Sequence, residues 1–297
     1  MKNILRVILL LCATSYSLNA QTTDLARVEY LNIPFSKSDN SIQRYRAFIQ
    51  APIPLDNDLN KLIVIGLEYR YVDINIKDMV PFDTEIVSST QNMEVSLGYV
   101  FRSSSNPDWR FGIRGLARIS SNLQDEPISD DFIYGAAGYA IYDKTKDENV
   151  DKPYRWILGL EYTTTPGRNY PLPIINYYRE FAPNWTYTLG VPKTNVRRYL
   201  NDSHKDAIQA FVTLDNFYGN IQQNINIDGQ TAENISMTVV LAGLGYEHYF
   251  TDHLLFYGYG AYTISNDFRL RDNDRNDIYT INEDNSFYFR TGLKFKF

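Results

Sequence analysis

The stretch "SFYFRTGLKFKF", residues 286–297, closes the chain on strict alternation. In an extended segment, Phe287, Phe289, Thr291, Leu293, Phe295 and Phe297 fall on one face. Ser286, Tyr288, Arg290, Gly292, Lys294 and Lys296 fall on the other. Chain ends are ordinarily polar and frayed. This one reads instead as a strand with one apolar face and one face that carries cations.

The same period-2 pattern recurs upstream. "IVIGLEYRY" sets Ile63, Ile65, Leu67, Tyr69 and Tyr71 against Val64, Gly66, Glu68 and Arg70. "MEVSLGYVFR" sets Met93, Val95, Leu97, Tyr99 and Phe101 against Glu94, Ser96, Gly98 and Arg102. "WRFGIRGLARI" sets Trp109, Phe111, Ile113, Ala117 and Ile119 against Arg110, Gly112, Arg114 and Arg118. "YRWILGLEY" and "WTYTLGV" continue the series, with Arg155, Gly159 and Glu161 opposite Trp156, Leu158 and Leu160. Weaker strands are expected near 26–35, 42–51, 131–142, 172–181, 194–201, 206–218, 234–248 and 253–265. The total is about fourteen, or twelve if the short pair at 184–191 and 194–201 drops out. The intervening turns alternate between a shorter class and a class that includes the longest, 75–89, 121–130, 219–233 and 266–285. That is the layout of an up-and-down meander whose two ends face different surroundings.

Alternation does not say which face is buried. A soluble sandwich turns its apolar face to a core, whereas a membrane barrel turns it to lipid and its polar face to the lumen. The position of the rings discriminates. Tyr69 and Tyr71, Tyr99 and Phe101, Trp109 and Phe111, and the two ends of the last strand put aromatics at strand ends with aliphatics between. A bilayer sorts rings to headgroup level, and a soluble core has no reason to. The opposite faces mix glycine with Arg70, Arg102, Arg110, Arg114, Arg118, Arg155, Arg290, Lys294, Glu68, Glu94 and Glu161, the character of a lumen wall. The expected fold is therefore an all-β, transmembrane, antiparallel up-and-down barrel.

Composition agrees. Tyrosine occurs 24 times and aromatics make up 14% of the 297 residues. "MKNILRVILLLCATSYSLNA" has basic Lys2 and Arg6, a short apolar core and small residues near Ala20, which reads as a secretory signal peptide over 1–20. Residues 21–297 then form a single barrel domain. Cutting after Ala20 moves the formal net charge from −6 to −8 and removes Cys12, the sequence's one cysteine. No disulfide framework remains. An acidic chain without a basic run is a poor nucleic-acid partner. No apolar stretch beyond Ala20 is long enough for a transmembrane helix.

The leader, the alternating strands and the aromatic end together resemble outer-membrane β-barrel proteins. The segment "YPLPIINYYREFAPNWTYTLGVP", 170–192, is also similar to a family of uncharacterised outer-membrane barrels. The resemblance implies a location in the outer membrane of a Gram-negative bacterium and a lipid bilayer as surroundings. It also implies the barrel-assembly machinery as a partner that reads the last strand, with Phe289, Leu293, Phe295 and Phe297 as the signal and Thr291 as a mild departure. It supplies no activity.

Chemical motifs are sparse. The three histidines, His204, His248 and His253, are expected at the inner strand ends as ordinary turn residues, and no G-x-S-x-G motif occurs. The acidic loop "RLRDNDRNDIYTINEDN", 269–285, lacks the glycine and spaced glutamate of an EF-hand and reads as a solvated loop. No cofactor or metal site is expected, and the residues argue against an enzyme without excluding one. Arg110, Arg114 and Arg118 form a basic ladder. It serves either as an anion-preferring constriction or as structural pairing with Glu68, Glu94 and Glu161. The first functional reading is a passive pore or transport component. The alternatives are a closed structural or surface-interaction barrel and, last, an outer-membrane enzyme.

Overall fold

The computed structural model describes residues 24–168 and 170–296. The leader, Cys12 and Phe297 lie outside these described residues. The strands are β1 (Asp24–Pro34), β2 (Ser41–Pro54), β3 (Lys61–Asn75), β4 (Ser89–Arg102), β5 (Trp109–Ser121), β6 (Phe132–Asp143), β7 (Tyr154–Thr163) and β8 (Leu172–Ala182). They continue as β9 (Trp185–Val191), β10 (Lys193–Tyr199), β11 (Asp206–Ile227), β12 (Gln230–Tyr249), β13 (Leu254–Arg271), β14 (Asp277–Asn282) and β15 (Phe287–Lys296). From β1 to β13 each strand pairs with the next, antiparallel; β15 then pairs with both β13 and β1 and closes the ring. β14 pairs only with β13, so it stands off the ring. The barrel therefore has fourteen staves, and the short β9 and β10 are full members of it.

Asp24 lies opposite Lys296, so both ends of the described chain sit at one rim, here the terminal end. The turns at 55–60, 103–108, 144–153, 183–184, 200–205 and 250–253 also lie there. The far mouth carries 35–40, 76–88, 122–131, the described residues 164–168 and 170–171, and the tips of β11–β12 and β13–β14.

Two expected loops are corrected. Residues 219–233 are not a loop: β11 runs on to Ile227 and β12 begins at Gln230. Asp228 and Gly229 make the turn with φ of 51° and 84°. A two-residue hairpin turn of the primed type needs positive φ at both positions, and Asp-Gly supplies it. Residues 266–285 are likewise largely strand, with β13 extending to Arg271 and β14 folding back on it.

The outer face is the apolar one. Leu97 and Ile113, at mid-strand, are 60% and 62% exposed. Apolar side chains so bare, all the way round a closed sheet, make the lipid-facing band of a membrane barrel. Near the terminal end the rings form a chain across β4–β9: Phe101 and Phe111 have centroids 5.7 Å apart, Trp109 and Tyr142 5.0 Å, and Tyr177 and Tyr187 5.9 Å. At the far mouth Tyr262, Phe287 and Phe289 form a second group. No helix among the described residues is long and apolar enough to cross a membrane; the strands do the spanning.

Candidate functional site

Inside the barrel the two sides of the wall differ. On the side from β11 through β12, β13, β15 and β1 to β3, the inward side chains are buried toward the far mouth and at mid-strand, while Arg46, Phe48, Val64 and Arg70 lower on β2 and β3 are half-buried. Toward the far mouth Leu31, Ile33, Ile42, Val72 and Ile74 meet Ile221, Ile225, Ile235, Met237, Phe268 and Leu270 in one apolar core. The extended β11–β12 tip builds this core because it leans across the mouth. Asn220 of β11 pairs with Ser121 of β5, and the Ser120 hydroxyl donates to the Tyr218 carbonyl at 2.6 Å.

Below that core lies a buried polar network. Arg44 forks onto both carboxylate oxygens of Asp215, each at 2.8 Å, and approaches Glu29 at 3.4 Å. The hydroxyls of Tyr288 and Tyr257 donate at 2.6 Å to Asp215 and Glu29. Arg44 belongs to β2 and Asp215 to β11, so this fork crosses the lumen and ties non-neighbouring staves together. Toward the terminal end Glu247 accepts from Gln209 at 2.8 Å and Tyr259 at 2.5 Å, and it pairs with Arg197 at 3.1 Å. The tyrosine rings lie on glycine: a Cβ on Gly245 would meet the Tyr259 ring at 2.3 Å. Replacing the hydrogen there would push the ring off the wall.

The other side, β5–β9, is lined by Gly112, Arg114, Leu116, Ala137, Tyr139, Ile157, Gly159 and Asn176. The Arg114 side chain, at mid-strand, stays 37% exposed although it points inward, whereas Glu29 across the lumen is 1% exposed. An inward side chain that still meets solvent halfway along its strand marks open space beside it.

The expected lumen residues fall as follows. Glu68 is shared by Arg70 and Arg46, with Arg46 at 2.5 Å. Glu94 is shared by Arg114 and Arg118, with Arg118 at 2.5 Å. Glu161 makes no ion pair among the described residues, so the expected pairing extends to Glu68 and Glu94 but not to it. Arg155 lies 5.8 Å over the Tyr178 ring. Arg102 donates to the Pro107 carbonyl at 2.8 Å, and with Arg110, Asp108, Asp143 and Asp147 it lines a cavity of about 250 Å³ at the terminal rim. There, hydrogen bonds from Lys144 and Asn149 hold Asp147 at about 2. Arg290 sits 5.2 Å over Tyr259 and 3.8 Å from Glu29, and Lys294 sits 4.6 Å over Tyr257. Phe289, Leu293 and Phe295 face outward, 51%, 40% and 39% exposed.

Glu29, Arg44, Asp215 and Glu247 were not among the expected residues. Each sits singly in a weakly alternating segment, and only the folded ring brings them together. The histidines lie at the terminal end: His204 beside Asn184 at 2.7 Å, His248 beside Asp206 at 2.7 Å, and His253 beside the Lys296 carbonyl at 3.0 Å. The other side chains on Asp206 belong to Tyr246 and Asn201, so the His248–Asp206 pair has no serine or cysteine nucleophile among its hydrogen-bond partners in the described residues. No group of three metal-binding side chains occurs among the described residues.

No protein-family model matches this chain, and no curated protein matches it. Similar solved structures include the NanC porin, 12% identical with 92% of this chain and 100% of that one covered at a TM-score of 0.38. The KdgM porin is 9% identical over 91% and 99% at 0.36, and LpxR from Salmonella typhimurium is 8% identical over 92% and 100% at 0.40. The barrel assignment stands on its own closed hydrogen-bonded ring rather than on these scores.

Proposed function

We propose that this protein is an outer-membrane barrel that passes small solutes passively along the unfilled side of its lumen, beside β5–β9. The carrying observation is the solvent exposure of Arg114 at mid-strand against the burial of Glu29 opposite. In this reading the terminal end faces the periplasm of a Gram-negative cell and the leader is cut near Ala20. The outward face of β15, Phe289, Leu293 and Phe295 with Phe297 beyond, is what the barrel-assembly machinery reads. Along the β4–β9 wall Arg102, Arg110, Arg114, Arg118 and Arg155 outnumber Glu94, Asp143, Glu161 and Glu180 by one, so the passage mildly favours anions.

Planar-bilayer recording of the refolded protein tests the reading. Small, discrete openings with a reversal potential on the anion side are expected. A properly folded protein that gives no openings supports the second reading, a closed structural barrel. That second reading draws on the Arg44–Asp215 fork, which spans the lumen and would hold it shut.

A further inference from the structure

At the far mouth a small pocket opens between the β3–β5 wall, the leaning β11–β13 extension and the 164–171 loop. Its charged lining is Arg70, Arg118, Arg168, Arg271 and Arg275. Three of these have carboxylates: Arg70 has Glu68, Arg118 has Glu94, and Arg271 has Asp267 and Asp277. Each of those carboxylates is shared with a second arginine, Arg46, Arg114 or Arg269. Arg168 and Arg275 have no carboxylate within 4.0 Å among the described residues. The pocket wall therefore carries excess positive charge in a partly dry place.

The neutral lining points the same way. Asn92 is 6% exposed, and its carbonyl oxygen accepts from Ser120 at 3.0 Å, which leaves the amide Nδ2 buried without an acceptor. Arg168 Nε is also buried without a partner. A buried donor left unmade costs about 1–3 kcal/mol. Orphan donors gathered around unneutralised guanidinium groups ask for an acceptor with negative charge. Burial, and then the like charges of Arg275 and Arg118, push Arg168 below its ordinary value and outweigh the opposing pull of Tyr170 and Glu161. The cavity measures about 50 Å³. One water needs about 10–15 Å³ in this measure, so the space suits one halide or a single oxyanion group.

We propose that this pocket binds one small inorganic anion, a halide or a sulfate- or phosphate-sized oxyanion. Asn92 donates to it, and Arg168 and Arg275 neutralise it. The anion then bridges the 164–171 loop and the β13–β14 turn to the barrel wall. The site stands on its own geometry and holds whether or not the lumen conducts.

The test follows thermal unfolding of the refolded protein in detergent while sulfate or chloride replaces gluconate at constant ionic strength. A binder of the folded state alone raises Tm with concentration relative to Kd. The wild type should show a saturable rise, and Arg168→Gln/Arg275→Gln should need at least tenfold more anion. Lys37→Gln, a charge loss at the same mouth, should behave as wild type. A wild type with no saturable rise, or the same rise in all three proteins, would overturn the site. If the double variant does not refold, chloride-35 line broadening by the wild type decides. Broadening that sulfate or phosphate reverses identifies an oxyanion-competent site, and broadening that they do not reverse identifies a halide site. No broadening together with no thermal response rejects both.

Discussion

The β11–β3 side and the β5–β9 side of this barrel obey one alternation rule and end differently. Both turn apolar residues outward. Inside, the first side carries Leu31, Ile33, Ile42, Tyr257, Tyr259 and Tyr288, large groups that meet across the lumen, together with staves of 22, 20 and 18 residues that lean over the mouth. The second carries Gly112, Ala137 and Gly159 on staves of 10 to 13 residues. Period-2 patterning separates two faces, and the placement of the rings at strand ends says which of them meets lipid. Side-chain size and strand length decide whether the inside is filled.

The largest effect should come from cutting the fork across the lumen. Arg44→Ala leaves Asp215 buried with the Tyr288 hydroxyl as its one side-chain hydrogen-bond partner among the described residues and with the more distant charge of Arg290. Stranding one member of a buried pair costs about 3–5 kcal/mol. Urea unfolding from lipid vesicles should show a loss of that order. A loss below about 1 kcal/mol would mean the fork is not formed. Next comes Ile221→Ala in the mouth core, where Ile221 is 0% exposed. Deleting a buried isoleucine to alanine costs about 2–5 kcal/mol, and single-channel traces should become noisier as the tip loosens.

Acid provides a third way to loosen the tip. Asp131 accepts from Asn220 and Gln222 at 2.8 Å each and anchors β11 to the 122–131 loop. Burial alone would raise this carboxyl, but hydrogen bonds from Ser121, the Ile128 amide, Asn220 and Gln222 outweigh it and hold it below 3.8. A depressed folded value gives stability that is present above 3.8 and is lost as pH falls through the folded value. The urea midpoint should therefore drop between pH 6 and pH 3 by more in the wild type than in Asp131→Asn. Equal drops would remove Asp131 from the account.

The smallest stability effect belongs to the open side. Arg114→Ala should cost less than about 1 kcal/mol, because Arg114 is partly exposed and Glu94 keeps Arg118. Arg114→Glu should nonetheless move the reversal potential toward cations. A large stability loss with unchanged selectivity would make this wall structural.

The staves and their faces were legible in the sequence because period 2 is a local signal, as in residues 93–101 and 287–296. The paired ladder Arg114–Glu94–Arg118 was legible too, since neighbouring staves of a meander carry it. The β11–β12 tip was misread as a loop because its Asn and Gln residues look like turn composition. Ile221, Ile225 and Ile227 before Asp228-Gly229 were the signal of a hairpin. The Arg44–Asp215 fork and the Arg168–Arg275 pocket were not legible. They join residues far apart in the chain through the leaning of three long staves, which no local pattern encodes.

The most direct measurement compares single cysteines in a Cys12→Ala background. Arg114→Cys lies on the open side and Leu31→Cys in the filled side, where Leu31 is 1% exposed. A charged, membrane-impermeant thiol reagent should modify Cys at position 114 rapidly and reduce the conductance, while position 31 stays unmodified in the folded protein. Equal reaction at both positions, or none at 114, would contradict a lumen filled on one side and open on the other.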